Sequence, residues 1–164
     1  MRLATKLLAT ILILAASPAF AQSLEQMAGQ MIIVGFVGDS VDDKGVAALR
    51  AEVAAGDIGG VMYLKTNVAG RKSVEAMNAA FRDAAPAELP PFITLDQEGG
   101  LVERLGESVG FKEIPDAASV AANNTPEQAR AIYAGLARGV AAWGFNVNFA
   151  PVVDLAVNPD NQVI

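Results

Sequence analysis

The feature that most constrains the fold is a regular alternation between short apolar runs and helical patterns. Four runs have the length of a buried strand: 31–36 (MIIVGF), 61–64 (VMYL), 92–95 (FITL) and about 146–152. Between them, apolar residues recur every three or four positions, as on one face of a helix: Val46, Leu49 and Val53, then Val74, Met77 and Phe81. We expect the first of these helices to end near Gly56 and the second at Pro86. Strands that alternate with helices form right-handed βαβ units, so the pattern predicts a parallel sheet that is covered on both faces.

The strongest single helix signal precedes the fourth strand. Thr125 is a favourable N-cap, Pro126 fits the first helical position, and Gln128 completes a capping box. We expect this helix to run to about Trp143, with Gly144 just beyond its end.

Four βα units are half of a (β/α)₈ barrel or one small open sheet. A half barrel leaves two unpaired edges and an open apolar interior. The chain also stops soon after an Asn-Pro-Asp-Asn turn. The expected fold is therefore α/β, the first half of a (β/α)₈ barrel of the TIM type, in a truncated chain.

The N-terminus has the pattern of a secretory signal peptide. Arg2 and Lys6 precede an apolar run at 7–16, and Ala19-Phe20-Ala21 is an A-x-A cleavage signal. The run is too short to span a bilayer, although a transmembrane anchor is the alternative. We expect cleavage after Ala21, a mature domain at 22–164, and export to the periplasm or the medium.

Composition excludes several classes of function. Loss of Arg2 and Lys6 would take the net charge from −6 to −8, and the mature chain has no basic cluster. We therefore expect no nucleic-acid partner and no membrane association after cleavage. The sequence contains no cysteine and no histidine, so it offers neither a disulfide nor an imidazole for catalysis.

The third strand ends abruptly in charged residues and glycines. Asp96, Gln97 and Glu98 follow it, then Gly99 and Gly100. Parallel α/β folds place their sites at the carboxyl ends of strands, so we expect the two carboxylates in one cleft, with a glycine backbone that a ligand can approach closely.

Arg104 follows this turn and could keep one of the acids ionised, and an ionised Asp can hold two adjacent sugar hydroxyls. The alternative is a solvated acidic turn paired with an arginine.

Asp154 occupies the comparable place after the fourth strand. Within that strand, Asn146 and Asn148 alternate with apolar residues, which indicates a polar layer inside the barrel. The alternative, which we favour over direct catalysis, is that Asn148 and Asp154 tie loops to neighbouring backbone. A further alternative makes Asp96, Glu98 and Asp154 a Mg²⁺ site.

Three segments in this order resemble the N-terminal barrel domain of family 3 glycoside hydrolases: GGVMYL, PPFITLDQEGGLVERL and GFNVNFAPVVDLAVNPDNQVI. The D-Q-E-G-G form is most similar to the β-N-acetylhexosaminidase branch, and the resemblance extends from about residue 24 to 164. It implies a (β/α)₈ barrel, retaining hydrolysis of a terminal β-linked sugar, a small carbohydrate as substrate, and no metal or organic cofactor.

The resemblance also assigns residues. It places Asp96 and Arg104 in the first sugar subsite as substrate-binding residues, with Glu98 and Asp154 as possible site-lining residues. Glu98 receives no certain role. Leu101 stands where the family usually has arginine, which removes one charge beside the motif.

The catalytic residues implied by the family are an aspartate nucleophile and, in this branch, a histidine, both in the second half of the barrel. We expect them beyond Ile164 and therefore no catalytic residue in this chain. Asp96 and Glu98 do not replace them, because the matching family Asp binds substrate. The alternative function is a non-catalytic carbohydrate-binding relative or an inactive fragment.

Overall fold

The computed structural model describes residues 23–155, 157–158 and 160–161, so the predicted signal peptide at 1–21 lies outside the described residues. The helices are α1 (Leu24–Gly29), α2 (Lys44–Ala55), α3 (Arg71–Ala84), α4 (Ala117–Asn123) and α5 (Pro126–Ala142). The strands are β1 (Ile33–Gly35), β2 (Gly60–Tyr63), β3 (Phe92–Leu95) and β4 (Val147–Asn148). Every described helix is too short or too polar to cross a membrane.

The four strands form one parallel sheet in the order β1-β2-β3-β4. Val61 pairs with Val34 on one side and with Ile93 on the other. Helices connect each strand to the next, so the predicted parallel α/β class and the order expected for half of a barrel are confirmed.

The outer two strands are shorter than predicted. The run at 31–36 contributes only 33–35, because the N–H groups of Met31 and Ile32 bond to Ala28 and Gly29 at the end of α1. The run at 146–152 contributes only Val147 and Asn148. Its partner β3 ends at Leu95, and Pro151 has no N–H with which to extend a ladder.

The predicted helix ends are confirmed. At the start of α5, the Thr125 side chain accepts a hydrogen bond from the Gln128 backbone, which completes the capping box. Gly144 follows α5 with φ of 91°, and Gly56 caps α2 with φ of 75°. Both glycines adopt the left-handed conformation that other residues avoid.

The core lies between the sheet and the helices. Val61, Tyr63, Ile93 and Leu95 point to this side and are fully buried, together with Val74, Met77 and Phe81 of α3. The Tyr63 ring meets those of Phe36 and Phe145 edge to face, each at 4.9 Å between centroids. On the opposite side of the sheet, Phe92 is 50% exposed. Thr94, on that same side of β3, is fully buried, so the expectation of two covered faces is met only in part among the described residues.

Candidate functional site

Asp96 and Arg104 form an ion pair at the carboxyl end of β3. Arg104 Nη2 donates to Asp96 Oδ2 at 2.7 Å, and the two side chains are 21% and 19% exposed. Asp96 follows the last strand residue, Leu95, so the strand itself directs it to this edge. The pairing predicted from the sequence is present, while the role in sugar binding stays a prediction.

Hydrogen bonds are left unmade on both members of this pair. Asp96 Oδ1 accepts none from the described residues, and Arg104 Nε is buried without a partner among them. A buried N–H of this kind is costly to leave unsatisfied. Asp96 Oδ1 can therefore accept a hydrogen bond from a polar ligand, whereas the buried Arg104 Nε lies out of a ligand's reach.

Gln97 lies behind the pair, and sequence reasoning did not single it out. Its side chain is fully buried, and Oε1 accepts from the backbone N–H groups of Arg104 at 2.9 Å and Leu105 at 2.8 Å. Its Nε2 donates to the carbonyl of Leu105 at 2.8 Å. No periodicity in the sequence reveals such contacts, since a Gln after a strand reads as a loop residue.

The two asparagines near β4 do not form a polar interior layer, so that expectation is wrong. Asn148 pairs with Leu95 in the parallel ladder, and paired residues share a face, which here is the helix-covered one. Asn148 Oδ1 accepts from the Gln97 N–H, and its Nδ2 donates to the Gln97 carbonyl, both at 2.9 Å. Asn146 bonds to the backbone of Ile93 in a similar way. The alternative that Asn148 ties neighbouring backbone together is confirmed.

Gly99 and Gly100 are required by the turn itself. Their φ values are 99° and 62°, both in the region that favours glycine. A Cβ on Gly99 would lie 2.3 Å from the carbonyl oxygen of Pro115. The backbone approach that we expected toward a ligand is therefore, in the structure, an approach to the segment 114–116.

The Glu98 carboxyl belongs to the same electrostatic cluster. Burial and then the charge of Asp96 raise its pKa, Arg104 lowers it, and Asp154 raises it further. Asp154 is exposed on the segment that follows β4. The structure thus brings the four predicted residues to one edge of the sheet, where Glu98 holds its proton more tightly than an ordinary glutamate.

Two further residues complete the surroundings. Leu101, at the tip of the turn, is 74% exposed and contributes no charge. Glu103 is buried, accepts a hydrogen bond from the Ile114 N–H at 3.3 Å, and has its pKa raised chiefly by burial. No pattern in the sequence indicates that Glu103 is buried, because an acid three residues after a glycine pair is ordinarily solvated.

Neither a metal cluster nor the cavity provides an alternative site that uses the four predicted residues. Among the described residues, no three acids lie close enough together to hold a metal ion, so the geometry does not support the Mg²⁺ alternative. A cavity of about 590 Å³ lies between α5 and the segment 110–115. None of the four predicted site residues lines it.

A parallel β/α sheet with an acid–arginine pair at the carboxyl edge defines the class: a barrel-type α/β domain with polar side chains where such folds place their sites. Within this class, the chain belongs to glycosyl hydrolase family 3, whose N-terminal domain matches residues 23–164. The family predicted from the three motifs is confirmed.

The chain is similar to the β-hexosaminidase of Stenotrophomonas maltophilia, with 37% identity over 131 residues, 76% of this chain and 37% of that relative. A solved family 3 β-N-acetylglucosaminidase from a Paenibacillus species superposes with a TM-score of 0.75 at 33% identity, covering 87% of this chain and 26% of that one. The β-N-acetylhexosaminidase of Beutenbergia cavernae gives 0.65 at 33% identity, covering 84% and 40%. The chain therefore spans well under half the length of these relatives.

Proposed function

We propose that the protein carrying this chain is a retaining glycoside hydrolase that releases terminal β-linked N-acetylglucosamine. This chain contributes part of the sugar subsite, with Asp96 and Arg104 as its binding residues. Glu98 and Asp154 line the same edge. The substrate is a small carbohydrate, and the proposal requires no metal or organic cofactor.

The observation that carries the proposal is the half-satisfied Asp96–Arg104 pair. Vicinal sugar hydroxyls can each donate to a carboxylate oxygen and accept from a guanidinium N–H. Asp96 Oδ1 has no partner in the described part of the chain, and the Arg104 side chain beside it is 21% exposed, although its Nε is buried. The names of the relatives, β-hexosaminidase and β-N-acetylglucosaminidase, support a hexosaminide over other sugars.

Retaining hydrolysis also needs a carboxylate nucleophile and a proton donor, held about 5 Å apart in a two-carboxylate site. Asp96 is engaged with Arg104, which suits it to hold substrate and not to attack it. We propose that the nucleophile and the proton donor are supplied from outside these 164 residues.

The test is hydrolysis of 4-nitrophenyl N-acetyl-β-D-glucosaminide by the native protein that carries this chain. Asp96→Ala is expected to reduce kcat/KM about 100-fold or more, since it removes charge-assisted hydrogen bonds to the sugar. An unchanged kcat/KM would remove Asp96 from the subsite. Binding of N-acetylglucosamine without any hydrolysis would identify a non-catalytic relative.

We also propose that the protein is exported, with residues 1–21 as the signal peptide. N-terminal sequencing of the protein recovered from the periplasm or medium should begin at Gln22. Recovery from the cytosol with an intact N-terminus would overturn this proposal.

A further inference from the structure

We propose that Gln97 and Asn148 are positioning residues of the sugar subsite, which together hold Arg104 at the correct distance from Asp96. This inference rests on the proposed function of the site. Neither side chain needs to touch the sugar, because both act through the backbone that carries the two binding residues.

Hydrogen bonds first connect β4 to Gln97, the residue that follows Asp96. Asn148 bonds to both backbone groups of Gln97, as acceptor and as donor, at 2.9 Å each. An amide that satisfies an N–H and a carbonyl of one residue fixes both the position and the orientation of that peptide segment. The backbone that carries Asp96 is therefore held to β4 beyond the last ladder pair, Leu95 with Asn148.

The second step joins this segment to Arg104. The Gln97 side chain makes three hydrogen bonds to the backbone of Arg104 and Leu105, all within 2.8–2.9 Å. Only one orientation of the amide satisfies all three, because its oxygen must meet two N–H groups and its nitrogen one carbonyl. The Arg104 N–H has no other partner among the described residues.

The turn between the two binding residues does not by itself hold Arg104 in place. Its own backbone hydrogen bonds, from Glu98 N–H to the Val102 carbonyl and from Gly100 N–H to the Ile114 carbonyl, do not reach Arg104, and its tip at Leu101 is exposed. A site that grips a ligand needs its groups held to within about 0.5 Å by surrounding hydrogen bonds. Gln97 supplies such bonds on the Arg104 side, and Asn148 supplies them on the Asp96 side.

The chain contains a matched control for this proposal. Asn146 lies two residues before Asn148 and makes the same kind of paired contact, accepting from the Ile93 N–H at 2.7 Å and donating to the Pro91 carbonyl at 2.9 Å. Those contacts lie at the opposite end of β3, away from Asp96. Loss of either asparagine removes two backbone contacts, but only Asn148 is joined to the site.

The experiment compares Asn148→Ala, Gln97→Met and Asn146→Ala in the native protein that carries this chain. Affinity for N-acetylglucosamine is measured by calorimetry, kcat and KM with the chromogenic substrate, and Tm for each variant. We expect Asn148→Ala and Gln97→Met to weaken sugar binding about tenfold or more and to raise KM. Asn146→Ala should lower Tm comparably yet leave the affinity within about twofold.

A conservative variant, Gln97→Glu, adds a pH-dependent test of the proposal. Gln97→Glu keeps an acceptor for the Arg104 and Leu105 N–H groups, and its protonated form can also donate to the Leu105 carbonyl. Its affinity relative to the unsubstituted protein should therefore recover as the pH is lowered from about 7 to 5, while that of Gln97→Met should not. If Asn148→Ala is too unstable to assay, Asn148→Asp replaces it, because it keeps the acceptor for the Gln97 N–H while it replaces the donor with a charged carboxylate oxygen.

The outcomes are distinguishable. If the unsubstituted protein does not bind N-acetylglucosamine, the proposed function fails and the positioning role falls with it. If it binds, and the Asn146 and Asn148 variants lose affinity equally or not at all, the positioning role alone is overturned.

Discussion

The Asp96–Arg104 ion pair should stabilise the fold measurably more than a surface pair of the same length. The chain provides that comparison, since Arg71 and Glu75 on α3 are also 2.7 Å apart. Their side chains are 55% and 41% exposed, against 21% and 19% for Arg104 and Asp96. Distance is thus held constant while exposure to solvent changes.

The expected magnitudes follow from this difference in exposure. Exposed i,i+4 pairs contribute about 0.3–0.5 kcal/mol, which we expect for Arg71 and Glu75. Removing one partner of a fully buried pair costs roughly 3–5 kcal/mol, which includes the penalty for the charge left unpaired and so is an upper limit for the coupling energy. Asp96 and Arg104 lie between these limits, so we expect a coupling energy of about 1–2 kcal/mol.

The assay is a double-mutant cycle for each pair, with free energies of unfolding from urea titrations. Alanine replaces Asp96, Arg104 or both, and separately Arg71, Glu75 or both. At about 1 M salt the Arg71–Glu75 coupling should fall close to zero, while the coupling at the site should persist because it is shielded from counterions. Equal couplings for the two pairs, or a site coupling that vanishes in salt, would refute the reasoning from exposure.

Three further predictions concern Glu98, the buried core and the sheet. Because burial and Asp96 raise the pKa of Glu98 above its ordinary 4.5, this carboxyl favours folding at low pH and loses that contribution as the pH rises through its raised value. Glu98→Gln should therefore raise Tm at about pH 7 and leave it nearly unchanged at about pH 3.5, as followed by calorimetry at both values; a lower Tm at neutral pH would contradict this. Tyr63→Phe should leave Tm unchanged or raise it, because the Tyr63 hydroxyl is buried without a partner among the described residues; a loss of more than about 1 kcal/mol in chemical denaturation would reveal a hidden hydrogen bond. Gly59→Ala should lower the free energy of unfolding by about 1–3 kcal/mol or more, because its Cβ would lie 2.0 Å from the Gln30 carbonyl oxygen. Gly35→Ala is the control, because its Cβ would have nothing within 4 Å. Equal urea midpoints for the two variants would count against the close packing at Gly59.

Local signals predicted much of the fold. The capping box at Thr125 and the glycine after α5 depend only on residues within one turn of each helix end, so the sequence contains all the information needed. Strand β3 was predicted with its correct limits, 92–95, because prolines precede it and charged residues follow it. The lengths of β1 and β4 were wrong, because they depend on neighbouring strands in the sheet, and β2 lies one residue earlier than predicted, at Gly60–Tyr63.

In the candidate site, too, one contact could be predicted from the sequence and another could not. The Asp96–Arg104 pair was predictable, since opposite charges eight residues apart around a glycine turn can meet without any distant contact. The Gln97 contacts to residues 104 and 105 were missed, although they span the same turn, because a neutral amide has many equivalent partners. A charged side chain favours partners of opposite charge, which are few, whereas a neutral amide can bond to almost any backbone group.

Asn146 and Asn148 show why residue type alone could not assign the remaining roles. Asn148 ends β4 and Asn146 directly precedes it, and each accepts from one backbone N–H and donates to one carbonyl in or next to β3. They reach opposite ends of β3, and that is determined by the parallel register that pairs Leu95 with Asn148. A shift of the register by two residues would bring Asn146 to the place that Asn148 now occupies, with no change in its chemistry. Any functional difference between these two asparagines therefore originates in strand pairing, which is why the matched substitutions at 146 and 148 test the site and not merely the stability of the sheet.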